Sequence, residues 1–297
     1  MINAHPSGHT RPTTTLSTSP QNAVGPPDKP ERTGRSPLRA VARRYPVSAF
    51  LVMLLGPVLA VSSVVILTGA PFGIAEASVL VFLVLAPIVV TRAIGGDRSL
   101  RRLYAGLTRW RIGVPRWFFV LAAIPAVGLG LALVSGTLVQ PGHGWPRVVL
   151  TYLGILVAGA LTGNLWEETA WAGFVQSRLM DRHGLFAGSM LTAVPFAVIH
   201  LPLAFQNGLS DTTLRNVLIT WGFLIALAPF MRYLIGMLLD DTGGSTLAAG
   251  CIHASFNATM ALTVFHGSWQ ALVALVVLTV AMAGWRSRRR LPRSSTP

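Results

Sequence analysis

The 297-residue chain has 52% hydrophobic and only 11% charged residues, with a mean hydropathy of +0.57. Soluble domains carry about 25% charged residues, so this composition excludes an ordinary soluble protein and indicates an integral membrane protein. The formal net charge of +14 comes mainly from clusters between apolar segments, at 32–44, 92–116, 178–182 and 286–293. That distribution is typical of membrane-protein loops and disfavours a nucleic-acid-binding surface.

The two ends of the chain differ in composition from its apolar middle. Residues 1–45 are rich in Pro, Ser, Thr and Gly and lack an apolar run, which predicts a disordered cytoplasmic tail. Residues 46–285 are predicted to form an all-α membrane domain, a polytopic bundle of about eight transmembrane helices. Residues 286–297 are predicted to form a basic cytoplasmic tail.

Apolar segments long enough to span a bilayer divide the middle of the chain. In chain order they lie at 47–68, 74–94, 117–139, 148–181, 185–205, 214–233, 246–265 and 269–285. Arg-rich segments precede the first, join the second to the third, follow the fourth and follow the eighth, which predicts that both termini are cytoplasmic. The basic stretch 97–116 fits an interfacial amphipathic helix or a plain loop equally well.

The segment EETAWAGF places two adjacent carboxylates, Glu167 and Glu168, inside the fourth predicted helix. The following DRHG supplies charges and Gly184, which are typical of a helix C-terminus. At 1.5 Å per residue, Glu167 then lies about 21 Å from Asp181, within the membrane. Acidic side chains at such depth usually face a bundle interior or a water-filled cavity, so they indicate a functional site.

Other polar residues are predicted to lie at the same depth. The segment FAVIH puts His200 about 24 Å from the same turn, on a helix antiparallel to the one with Glu167. The segment HASFN puts His253 and Asn257 four residues apart, on one face of the seventh predicted helix. Each would alone be read as an interhelical hydrogen-bonding group. Together with the glutamates, they predict one chemical site made of Glu167, Glu168, His200, His253 and Asn257.

Small residues at four-residue spacing lead to this site on two helices. One stripe on the fourth helix ends at Glu167, and one on the seventh runs through His253. The small members are Gly159, Gly163, Ser245, Ala249 and Ala261. Because small residues let helices approach closely in membranes, both stripes are expected to face neighbouring helices and not lipid.

These residue types suit hydrolysis. A carboxylate and an imidazole can hold and deprotonate water, and a second imidazole and an amide can donate to an oxyanion. Glu167, His200 and His253 could instead bind a divalent metal such as zinc, although no HExxH motif is present. No other cofactor is predicted. The single cysteine, Cys251, lies in an apolar run and is expected to be an inert buried thiol.

In this order and context, EETAWAGF, FAVIH and HASFN resemble the motifs of the CPBP family of intramembrane proteases, named for CAAX proteases and bacteriocin-processing enzymes. The resemblance covers residues 100–285. It implies that Glu167 activates water with help from His200 and that Glu168 is its required partner. It also implies that His253 and Asn257 stabilise the oxyanion. Both metal-dependent and metal-free mechanisms are described for the family, and the resemblance leaves that choice open.

One position departs from the family pattern. The Glu-Glu motif of the family ends with arginine, whereas this chain has Ala172 there, followed by a matching Gly173 and Phe174. The missing guanidinium leaves substrate choice and catalytic competence open. The neighbouring Trp171 is large enough to fill the space, and Phe196 occupies the aromatic position of the second motif, where packing is its expected role.

The leading hypothesis is an intramembrane endopeptidase, either glutamate-dependent or a metalloprotease. Its partners would be the lipid bilayer of the cell membrane and a membrane-associated, prenylated or leader-peptide substrate. One alternative is a catalytically inactive immunity or scaffold protein of the same family, which Ala172 motivates. Another is a proton-coupled transporter that uses the glutamate pair, although the paired broken helices of such proteins are not evident. The substrate and the oligomeric state are left open.

Overall fold

The described residues, 37–290 of a computed structural model, form a helical bundle and contain no β-strand. In chain order the helices are α1 (Pro37–Arg44), α2 (Pro46–Thr68), α3 (Gly73–Tyr104), α4 (Val114–Val134), α5 (Gly144–Gly159), α6 (Leu165–Ala170), α7 (Ser177–His183), α8 (Leu185–His200), α9 (Leu214–Asp241), α10 (Thr246–Met260) and α11 (Trp269–Arg290). The predicted all-α class is therefore confirmed.

Seven segments of the described chain are long and apolar enough to cross a membrane. They are Pro46–Thr68, Gly73–Thr108, Val114–Val134, Gly144–His183, Leu185–Phe205, Leu214–Asp241 and Trp269–Arg289. Each agrees in position with one of the predicted spans. The protein is therefore a multi-pass membrane protein.

The remaining predicted span, 246–265, is shorter than expected. Helix α10 has 15 residues, so its length is about 22 Å, less than the hydrocarbon thickness of a bilayer. The chain leaves the helix at Ala261, and the N–H of Val139 then donates to the carbonyl of Val264 at 2.9 Å. Because α10 packs against α4, α9 and the helical run Gly144–His183 that contains α5 and α6, it is enclosed by longer helical segments and does not need to span the bilayer itself.

The predicted tails and the basic stretch also differ from the structure in part. Residues 37–44, predicted to be disordered, form α1, while 1–36 lie outside the described residues. Helix α11 continues to Arg290, five residues into the predicted basic tail, and 291–297 lie outside the description. In 97–116, α3 resumes after a break at Gly95 and Gly96, where φ of Gly96 is 62°, and a loop follows only near Arg109. The basic stretch is thus part helix and part loop.

The predicted fourth helix runs from Gly144 to His183 and contains two π-helical segments. These segments, Ala160–Asn164 and Trp171–Gln176, lie on either side of α6, the short helix that carries both glutamates. Each π turn winds the chain more widely than an α turn and shifts the register of the residues beyond it. Such bulges occur frequently at functional sites.

The π segments explain why the predicted small-residue stripe on the fourth helix does not contact a neighbouring helix at Gly163. A Cβ added at Gly163 would meet no heavy atom within 4 Å, so this glycine makes no close helix contact. The close approach lies instead at Gly250 of α10, where an added Cβ would come within 2.6 Å of the Leu165 side chain. On the α10 stripe, Ser245 and Ala249 are buried as predicted, whereas Ala261 is exposed.

The hairpin between α7 and α8 sets the relative height of the site residues. Gly184 joins the two helices with φ of 82°, a conformation that favours glycine. Gly188 then lies so close to α7 that an added Cβ would be 2.5 Å from the backbone nitrogen of Met180. The two helices therefore pack closely from their turn upward, which brings α8 beside α6.

Candidate active site

Glu167 on α6 and His200 at the end of α8 face each other within the bundle. The distance between Oε1 of Glu167 and Nε2 of His200 is 3.7 Å. The two residues therefore lie at the same depth, as the sequence spacing predicts. The gap is too long for a direct hydrogen bond and suits a bridging water. The side chains are 14% and 25% exposed, respectively, so solvent access to them is restricted.

The orientation of the His200 ring is set by its own helix. Nδ1 lies 2.7 Å from the carbonyl oxygen of Phe196. Because a carbonyl only accepts hydrogen bonds, Nδ1 carries the hydrogen and donates it. In the neutral ring, Nε2 is then an acceptor that faces Glu167.

His253 of α10 contacts both glutamates through one ring nitrogen. Its Nδ1 is 2.8 Å from Oε1 of Glu168 and 3.8 Å from Oε2 of Glu167. The shorter contact is a hydrogen bond in which Nδ1 donates to the carboxylate. The contacts with the two glutamates leave the other nitrogen, Nε2, unused.

Arg232 of α9 is a member of this group that the sequence analysis missed. Its Nη2 donates to Oε1 of Glu168, and both side chains are fully buried. Removing a carboxylate from water without a partner is costly, so Arg232 explains how Glu168 is accommodated. A signal was present, because Arg232 interrupts the apolar run ALAPFMRYLIGM, and a charge inside a membrane segment marks a functional site by default.

Phe196 is the aromatic surface on which the polar groups pack. Its ring centroid is 4.7 Å from that of His200 and 6.0 Å from that of His253. The Arg232 guanidinium lies over the same ring at 4.2 Å, a cation–π geometry. Trp171, fully buried, contacts the ring edge-on at 5.7 Å. The group beside Glu168 is therefore Arg232, and Trp171 belongs to the apolar packing behind it.

Asn257 lies apart from the other predicted site residues. It is exposed, and its amide nitrogen is 3.5 Å from Oδ1 of Asn164. Asn164 is 5% exposed and ends the π segment that precedes α6. The sequence analysis missed Asn164, although an amide three residues before Glu167 in an apolar run was a usable signal. The structure thus brings together Glu167, Glu168, His200 and His253, and places Asn257 beside Asn164 at the edge of the group.

A cavity of about 340 Å³ opens next to His200, between α2, α3 and α8. Its walls are mostly apolar, with Leu80, Ile199 and Leu203 among the lining residues. Glu76, exposed in the first turn of α3, adds a carboxylate. This cavity gives a ligand space directly against one predicted catalytic side chain.

The predicted metal ligands do not form a metal site in this arrangement. Among the described residues, no group of three or more His, Cys, Asp and Glu side chains is placed to hold a metal ion. Nδ1 of His253 donates a hydrogen to Glu168, so Nε2 is the nitrogen of the neutral ring that is free of hydrogen and available as a ligand. Cys251, predicted to be buried, is partly exposed on α10 and does not add a ligand.

The fold and the site together define a polytopic helical membrane protein with a Glu-Glu-His-His cluster enclosed in its bundle. Residues 145–259 match the family described as Rce1-like, "Type II CAAX prenyl endopeptidase Rce1-like". The match confirms the resemblance to the CPBP family that the three motifs indicate. It runs from α5 to α10 and includes every predicted site residue and Arg232. No curated protein matched the chain.

Proposed function

We propose that the protein is an intramembrane endopeptidase that hydrolyses a peptide bond with a water held between Glu167 and His200. The observation that carries the proposal is the 3.7 Å gap between Oε1 of Glu167 and Nε2 of His200. Both atoms are hydrogen-bond acceptors when Nδ1 of His200 donates to Phe196. A water in the gap directs its two hydrogens at them, which leaves an oxygen lone pair free to attack.

The chemistry of these side chains supports the following reaction. The water oxygen attacks the peptide carbonyl carbon while Glu167 accepts a water proton. The carbonyl oxygen becomes an oxyanion, which accepts hydrogen bonds from Nε2–H of His253, as an imidazolium, and from the amide of Asn257. Glu167 then returns the proton to the amide nitrogen, the C–N bond breaks, and the products are a carboxylic acid and an amine, which exchange a proton to give a carboxylate and an ammonium ion.

Glu168 and His253 act as one unit in this scheme. The hydrogen bond from Nδ1 of His253 to Glu168, at 2.8 Å, orients the ring. The negative charges of both glutamates favour the imidazolium form, whose second hydrogen serves the oxyanion. No metal is needed for any of these steps.

The substrate class is proposed to be a membrane-associated peptide with an apolar portion. The cavity of about 340 Å³ beside His200 has mostly apolar walls and would receive an apolar side chain or a lipid-modified residue such as a prenylcysteine. The name of the matched family describes a CAAX prenyl endopeptidase, which supports that class. Basic clusters at the chain ends and in the loops support cytoplasmic termini.

The test compares peptide N-termini in membranes that express wild-type protein or Glu167→Gln at matched levels. We expect cleavage products that appear only with the wild type. Asp181→Asn is the matched control, because Asp181 is an exposed acid on α7 of the same helical run and should leave the products unchanged. Identical profiles for wild type and Glu167→Gln would reject the proposal.

The inactive immunity or scaffold protein is kept as a second candidate because Ala172 replaces the motif arginine. It predicts that variants of Glu167 and His200 retain the cellular phenotype, whereas variants that disrupt helix packing abolish it. A wild-type phenotype without any wild-type-specific cleavage would favour this candidate.

A further inference from the structure

We propose that Arg232 is a positioning residue of the active site. It supplies from α9 the guanidinium that the Glu-Glu motif lacks at Ala172, and it fixes Glu168 so that Glu168 orients His253. This inference rests on the proposed peptidase function for its catalytic part. Its structural part, the dependence of Glu168 on Arg232, can be tested without any substrate.

The first step is that one oxygen atom joins three side chains. Oε1 of Glu168 accepts hydrogen bonds from Nη2 of Arg232 and from Nδ1 of His253, the latter at 2.8 Å. The side chains of Glu168 and Arg232 have no exposed area, and that of His253 is 8% exposed. Because little water can replace a lost partner there, removal of Arg232 would shift Glu168 and the His253 ring with it.

The second step is that Arg232 is itself held in place. The Phe196 ring lies under its guanidinium at 4.2 Å, and its backbone carbonyl accepts a hydrogen bond from Nε2 of Gln176 at 2.6 Å. Gln176, fully buried in the second π segment, also donates to Oγ of Ser189 on α8 at 3.1 Å. An added Cβ at Gly236 would be 2.5 Å from that Oγ atom. Helix α9 is therefore locked in register against the π segment and α8.

The third step concerns position 172. Ala172 is fully buried and belongs to the same apolar cluster as Met231 and Ile235, which lie close to Arg232 in α9. The second π segment packs against α9. The departure from the family motif thus lies at the helix contact from which Arg232 reaches Glu168. In this chain, the guanidinium beside Glu168 is carried by α9.

The experiment measures thermal unfolding of the purified full-length protein in detergent for four variants. Arg232→Met should lower Tm by about 10 °C, since it leaves the buried Glu168 without its cation. Arg232→Lys should lower Tm by less, because a positive charge remains beside Glu168. The double variant Glu168→Gln with Arg232→Met should recover most of the loss, because it removes both charges.

Arg178→Met is the matched control. Arg178 also lies over a phenylalanine ring, that of Phe174, at 3.9 Å, and donates to a backbone carbonyl at 2.8 Å. It has no contact with the two glutamates among the described residues. We expect its Tm to stay within about 3 °C of wild type. An equal Tm for Arg232→Met and Arg178→Met, or a double variant no more stable than Arg232→Met, would overturn the inference.

Kinetics at a permissive temperature test the positioning role, with a substrate that the comparison of peptide N-termini provides. We expect Arg232→Met to lower kcat by at least about 100-fold with KM within about three-fold, and Arg232→Lys to lower kcat less, because it keeps a positive charge near Glu168. A rise in KM with unchanged kcat would place Arg232 in substrate binding and overturn the role. If the wild type cleaves nothing, the proposed function fails, while the unfolding series still decides whether Arg232 stabilises Glu168.

Discussion

Nε2 of His200 lies 3.7 Å from Oε1 of Glu167, although the two residues are on different helices. The tight α7–α8 turn and the α-helical rise bring them to one height.

The first prediction concerns this pair. Replacing Glu167 with Gln should lower cleavage at least about 100-fold, because an amide cannot accept the water proton. Quantified cleavage products check this, with Tm as the folding control. Activity within a factor of two of wild type would show that Glu167 is not the base.

His200→Ala should lower kcat by about 10²- to 10⁴-fold, since the water loses one of its two acceptors. Phe196→Leu should give a smaller kcat loss. It keeps the backbone carbonyl that accepts from Nδ1 but removes the ring against which His200 packs at 4.7 Å. Steady-state kinetics on both variants check the order of these losses. A larger loss in Phe196→Leu would mean that ring packing, and not water binding, dominates the role of His200.

Asn257→Ala should lower kcat by about 10²-fold, the usual effect of removing one oxyanion donor. Because Asn257 is exposed, the free energy of unfolding should change little. The matched variant Asn164→Ala removes the neighbouring buried amide and should affect stability more than kcat. The comparison requires Tm and kcat for both. Equal kcat losses would mean that the two amides act together.

The close approach of α10 to α6 at Gly250 gives a prediction on packing. A Cβ there would lie 2.6 Å from the Leu165 side chain and 3.1 Å from the Leu165 Cα. Gly250→Ala should therefore destabilise the protein by about 1–3 kcal/mol and reduce activity, since it displaces His253 from the glutamates. Gly163→Ala is the control, because no heavy atom lies within 4 Å of its added Cβ. Thermal unfolding should give a lower Tm for Gly250→Ala than for Gly163→Ala. Equal Tm values would contradict the close packing of α10 against α6 at Gly250.

Chelation tests the metal-free scheme. Treatment of the purified protein with 1,10-phenanthroline should leave cleavage unchanged, because the proposed reaction uses Glu167 and His200, and no ion, to hold and deprotonate the water. Metal analysis of the same sample is the companion measurement. Loss of activity that added zinc restores would show that the water is activated by the ion.

Much of the fold could be predicted from the sequence because hydrophobic runs of fixed rise per residue set where helices begin and end. The depth match of Glu167 and His200 required only that rise and the turn at Gly184. Motif order was enough to indicate the family. These properties depend on residues that are near one another in sequence or that lie at similar distances on either side of one turn.

Other properties depend on contacts that spacing along the chain does not determine. The two π segments rotate the helix around α6, so the predicted stripe through Gly163 fails and the close approach moves to Gly250. Arg232 lies 64 residues from Glu168 along the chain, and the packing of α9 against α8 and the second π segment brings them together. Hydropathy locates a helix in the membrane, but its rotation and neighbours are set by side-chain packing. The sequence by itself therefore determined the membrane class, the spans and the height of the candidate site, while the tertiary structure decided which side chains contact one another there.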